Sequence, residues 1–225
     1  MMGSACAAAR SPTLLKVHMT RSILPILAFA VLSLAGCASE PVAPHFVETA
    51  VQTLPPPPAD KAQVVFLEPI NSIQGMFPVG LFEMNGQERT HLATTGSHTK
   101  VALNFTPGHH LLMAAQPGIR AHFLDMNVEA GKRYYVLERF IYGNGFQLRP
   151  LRTDNSSDYS TVNKDFASWM SETRFVQKTA VSDAHFVQLK DALAKTQAEG
   201  WATWEKKTPQ QRAELTLNPG DAVAF

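Results

Sequence analysis

Cysteine is nearly absent from this chain. Its 225 residues hold two, Cys6 and Cys37. From Cys37 onward only that one remains, so no internal disulfide can form, even in a compartment that permits one. The same scarcity removes thiolate zinc sites. No block of Lys or Arg exists, which excludes the electrostatic footprint of a nucleic-acid binder. No apolar run approaches the ~20 residues of a spanning helix. There is no Gly-x-Ser-x-Gly nucleophile turn and no Gly-rich phosphate loop, because Gly143-Asn144-Gly145 reads as a hairpin turn. Tryptophan is scarce too: Trp169, Trp201 and Trp204 are the full set.

What is present begins with a short apolar run, Ile23 to Leu34, preceded by Arg21 and interrupted near its start by Pro25. Charge, apolar core and small residues in that order make an export signal, and the run is too short to serve as a membrane span. It closes on Leu34-Ala35-Gly36-Cys37, which resembles the lipobox of bacterial lipoproteins. The resemblance implies cleavage between Gly36 and Cys37, acylation of Cys37, and a mature chain beginning there. Residues 1–36 are then a signal peptide, with Met19-Thr20-Arg21 as an alternative start. Two or three acyl chains would hold the protein stably on a bilayer. Ala38 and Ser39 follow the cysteine where an Asp would favour inner-membrane retention, so an outer-membrane location facing the periplasm is expected. Processing removes Arg10, Lys16 and Arg21 and no acid, which takes the net charge from +1 to −2.

Residues 37–61 read as a lipidated tether, stiffened by Pro41, Pro44 and Pro55-Pro56-Pro57-Pro58. From Ala62 the pattern is that of strands: Gln63–Glu68, Val79–Met84 turning at Asn85-Gly86, Gln87–Ala93, and Thr99–Phe105 with Val101, Leu103 and Phe105 on one face. Pro107-Gly108 and Pro117-Gly118 mark turns. His122, Leu124, Met126 and Val128 alternate, Tyr134–Phe140 is the most β-prone run, and Phe146–Arg149 ends the series. After Thr153 the period changes. Ser156 or Ser157 would cap a helix with the stripe Tyr159, Val162, Phe166, Trp169 and Val176. Ser182 would cap a second, carrying Phe186, Leu189, Leu193, Trp201 and Trp204. Thr208-Pro209-Gln210-Gln211 has the form of a capping box. The expected fold class is α+β: an antiparallel β-sandwich of about seven to eight short strands over 62–152, then two or three C-terminal helices over 153–225.

Val64-Val65-Phe66, the Asn85-Gly86 hairpin, Pro107-Gly108-His109 and Ala130-Gly131-Lys132-Arg133-Tyr134-Tyr135-Val136 together resemble a group of small bacterial β-domains, often carried on lipoproteins and catalogued only as a domain of unknown function. The resemblance covers roughly 62–150. It implies the β fold and the envelope address, and transfers no catalytic residue.

Seven histidines follow the signal: His45, His91, His98, His109, His110, His122 and His185. Histidine is the usual neutral ligand for zinc or copper. However, His109 and His110 are neighbours on a strand and face opposite ways, so they cannot readily share an ion. No metal site and no cofactor are expected. The tryptophans are read first as core between helices and sheet, and alternatively as an aromatic surface for a ligand or partner. Gly200 beside Trp201 hints at close approach by another chain. The expected function is a non-enzymatic, lipid-anchored accessory module that contacts another envelope protein and no nucleic acid. The alternative is a periplasmic carrier of a small ligand or metal.

Overall fold

Gln63–Leu67 is apolar at nearly every position, and such a run suits a strand covered on both faces. In the computed structural model, which describes residues 43–70 and 78–224, this strand is central and wholly buried. The expected signal peptide and Cys37 lie outside the described residues.

Among the described residues nine strands precede the first helix: β1 (Phe46–Glu48), β2 (Ala62–Glu68), β3 (Val79–Asn85), β4 (Glu88–Thr95), β5 (Thr99–Phe105), β6 (Gly108–Gln116), β7 (Arg120–Val128), β8 (Arg133–Ile141) and β9 (Gly145–Pro150). Then come α1 (Phe166–Glu172), β10 (Arg174–Lys178), α2 (Ala180–Gln188), α3 (Lys190–Glu205), α4 (Pro209–Ala213), β11 (Thr216–Leu217) and a 3₁₀ turn, Pro219–Asp221. One sheet runs β1-β10-β5-β2-β8-β9, the other β11-β7-β6-β3-β4. The fold class is therefore α+β, with two sheets and helices toward the C-terminus.

Several of the expectations are corrected. There are eleven strands among the described residues, and the sheets are mixed: β2–β8, β5–β10 and β7–β11 pair in parallel. Two strands, β10 and β11, come from the segment expected to be helical only. The expected first helix is also broken up. It spans only Phe166–Glu172, while Tyr159 and Val162 precede it and Val176 lies on β10. Ser157 Oγ accepts from the Tyr159 amide and Asp154 Oδ1 from the Ser156 amide, so these residues build turns and do not cap a helix. Phe175 and Val176 gain more by joining a sheet between β1 and β5 than a helix stripe would offer them. Ser182 likewise does not cap α2. The cap position is Thr179, and Ser182 is buried inside the first turn.

Alternation along the strands sorts the core. Val64, Phe66, Tyr134 and Val136 of one sheet share a cluster with Leu81, Leu112, Leu124 and Met126 of the other. The opposite faces are covered separately. Phe82, Met113 and Phe123 lie under Phe186, Leu193 and Trp204 of α2 and α3. Val65, Leu67, Tyr135 and Leu137 lie under Tyr159, Phe166 and Trp169.

Much of the expected tether belongs to the body. β1 pairs with β10, and the Thr179 amide donates to the His45 carbonyl at 3.0 Å. The Gln52 side chain grips both backbone groups of Phe175, and Arg133 donates to the Pro55 carbonyl. The capping box at α4 is present as expected: Thr208 Oγ1 accepts from the Gln211 amide and Gln211 Oε1 from the Thr208 amide. Thr208→Ala should therefore cost about 1 kcal/mol. Urea unfolding measures this, and an unchanged midpoint would show that α4 does not depend on its cap.

Candidate functional site at the polar end of the core

The alternation that directs Val64 and Phe66 inward directs Glu68 inward as well. On β8 it does the same for Glu138 after Tyr134 and Val136. Parallel pairing of Leu67 with Leu137 brings the next two residues side by side. Both glutamates are fully buried. Thr95 of β4 donates through Oγ1 to Glu138 Oε2 at 2.8 Å, a hydrogen bond that crosses from one sheet to the other. Both oxygens of Glu68 and Oε1 of Glu138 have no partner among the described residues.

Burial without a cation makes ionisation costly. It pushes Glu68 up to about 10, with the neighbouring Glu138 charge adding to the effect. Burial pushes Glu138 up to about 8, against the stabilising Thr95 bond. The pair thus holds its protons at neutral pH and titrates as a unit. It can store and release protons, and it locks β4 to β8. Sequence reading passed over both residues, although a period-2 signal was available: each acid is in phase with its strand's core residues.

The same end of the molecule carries two hairpin tips. Tyr142 follows Glu138 by four residues, about 13 Å along an extended chain. It is 88 % exposed at the β8–β9 turn, and Ile119 is 51 % exposed at the β6–β7 turn. The tips are neighbours: His122 Nε2 donates to the Asn144 carbonyl at 2.6 Å, and a Cβ on Gly145 would lie 3.8 Å from Ile119. Burial holds the His122 pKa below its ordinary value, and Lys207, Arg120 and Arg139 lower it further. That imidazole is therefore a neutral donor in a basic neighbourhood. The chain enters the body elsewhere. Phe46 pairs with Lys178 at the far end of β10, whose other end, Arg174, lies beside Thr99, the partner of Glu68.

The three tryptophans do not converge. Trp204 is buried and Trp201 half-buried against Phe123, on the outer face of the β4-to-β11 sheet. Trp169 packs over the outer face of the other sheet. Of the histidines, His45 and His185 meet edge to face with ring centres 4.7 Å apart, and the others are held separately. His109 contacts Asp125 at 2.5 Å and His110 contacts Glu83 at 2.6 Å, on opposite faces as alternation requires.

His91 has the densest surroundings. Its Nδ1 lies 2.7 Å from Asp183 Oδ1 and its Nε2 2.9 Å from both the Ala93 carbonyl and Thr94 Oγ1. Thr94 in turn bonds Ser182, and Lys178 Nζ donates to Asp183 and to the His91 carbonyl. Ser, His and Asp are thus linked, but through Thr94, and Thr94 and Ser182 are fully buried. The network fastens α2 to β4, and Lys178 and the His91 ring occupy two carbonyls on that edge strand, which discourages further pairing there.

No family model matches this chain, and no curated protein matches it.

Proposed function

We propose that this protein is a lipid-anchored accessory module of a bacterial cell envelope. Acyl chains on Cys37 hold it to the outer membrane, and its body, a β-sandwich flanked by helices, faces the periplasm. The module is non-catalytic. It docks another envelope protein through the paired hairpin tips. The observation that carries this reading is the pairing of Ile119 and Tyr142, both exposed, at the end of the body away from the point of chain entry. An exposed tyrosine held on a rigid hairpin loses little entropy on binding. Arg120 and Lys207, whose charges reach the His122 imidazole beneath the tips, favour a partner with an acidic rim.

The test is photocrosslinking in intact cells, with the reactive group at position 142 or, as a control, at exposed Val187 on α2. A discrete adduct is expected from 142 and not from 187, weakened in Arg120→Glu and lost with membrane retention in Cys37→Ser. Equal crosslinking from both positions would remove the docking claim. A bare Cys37 in native protein, found by mass spectrometry, would remove the anchor.

A further inference from the structure

A polar cleft of about 580 Å³ opens between β9, the turn-rich segment after it, and α4. Arg149 projects into it from β9, and Asn155, Ser156, Tyr159, Gln210 and Glu214 line it. The Arg149 side chain is only 13 % exposed, yet its one ion pair among the described residues is a single 3.1 Å contact from Nη1 to Glu214, a carboxylate that is 53 % exposed. Its guanidinium lies 4.6 Å from the centre of the Tyr159 ring. Arg139 lies 4.9 Å from the same ring and donates to the Tyr159 hydroxyl. Two guanidinium groups therefore share one ring. Burial and then the Arg149 charge depress the Arg139 pKa, and only Glu214 opposes them. Arg152, also in the wall, is paired with Asp221 at 2.5 Å. Asp158 lines the cleft as a second carboxylate.

An arginine fixed in orientation by stacking, with most of its fork uncommitted and a second cation behind it, suits a planar or tetrahedral anion. We propose that this cleft binds a small oxyanion-bearing ligand, a carboxylate or a phosphate, which takes the Arg149 fork and displaces Glu214. Glu214 then acts as an internal placeholder that keeps Arg149 neutralised while the cleft is empty. The stacked Tyr159 fixes the plane of the fork, and the amides of Asn155 and Gln210 are placed to contact the rest of the ligand.

Isothermal titration of the full-length protein in detergent, at constant ionic strength, tests this with inorganic phosphate, citrate and glucose. Saturable binding of phosphate, citrate or both is expected, and glucose should give none. A response to phosphate alone assigns a phosphate ligand, and to citrate alone a carboxylate. Arg149→Ala should weaken binding at least about tenfold, as loss of charge-assisted hydrogen bonds does. Arg149→Lys, which keeps the charge and the fold but not the fork, should also weaken it. Glu214→Gln should tighten it by removing the competitor. Absence of binding at millimolar anion, or affinity unchanged in both Arg149 variants, would overturn the proposal.

Discussion

Raising the pH from 7 to 8 is expected to lower the unfolding free energy of this protein, and Glu68→Gln/Glu138→Gln should abolish most of that slope. In the native state burial pushes Glu138 up to about 8 and Glu68 up to about 10, whereas an unfolded glutamate titrates near 4.3. Below about pH 4 both carboxyls are protonated in the native and the unfolded state, and the pair's contribution is at its fullest. Between there and pH 8 these two sites hold more protons in the native state than in the unfolded one, so their contribution falls as pH rises, by about 1.4 kcal/mol per unit for each group that stays protonated. Below pH 6.5 His91, His122 and His185, whose native pKa burial lowers, oppose that slope, so it stands alone from pH 7 upward. At pH 7 the cost is about 4 kcal/mol per carboxyl. Above pH 8 Glu138 begins to release its proton and the decline slows, levelling off only above about pH 10, where Glu68 follows. Glutamine imitates the protonated acid, so the double variant should be more stable than the parent at pH 7 by several kcal/mol and nearly equal to it at pH 4. Urea unfolding across this range measures the effect. A parent curve that is flat between pH 7 and 8, or a double variant with the parent's slope there, would mean that the pair does not hold its protons.

Gly200→Ala should destabilise the protein by about 2 kcal/mol, although the same change in an isolated helix would help by about 1 kcal/mol. A Cβ at Gly200 would stand 2.6 Å from the Ala121 carbonyl oxygen and 2.9 Å from the Ala121 Cβ. The obstacle is largely backbone of a central strand, so no side chain can swing away. α3 would have to lift from β7, loosening Trp201 and Trp204 from Phe123. Gly220, where a Cβ would meet nothing within 4 Å, is the control and should tolerate alanine. Chemical denaturation of the two variants decides the matter, and a Gly200→Ala protein as stable as its parent would show that the helix has room to move.

The same glycine shows how far the residues could be read alone. Gly200 in a helical pattern signalled a close approach, yet the approaching chain is β7 of the same molecule. Asn85-Gly86 and the Thr208-Gln211 box were legible because each is a local bond pattern closed within four residues. Val176 reads by spacing as part of a helix stripe because the place of β10 beside β5 depends on a strand about 75 residues earlier in the chain. The inward phase of Glu68 and Glu138 was readable on each strand separately. Their adjacency was not, because it depends on the parallel pairing of β2 with β8.

Local chemistry in the chain was enough to determine the turns, most strand positions and the cap of α4, since each depends on neighbours in sequence. Tertiary structure alone decided the mixed sheets, the inclusion of residues 43–58 in the body, the protonated acid pair and the arginine pair over Tyr159. Those features arise when distant segments compete for the same buried surface, and propensity and spacing carry no record of which segment wins.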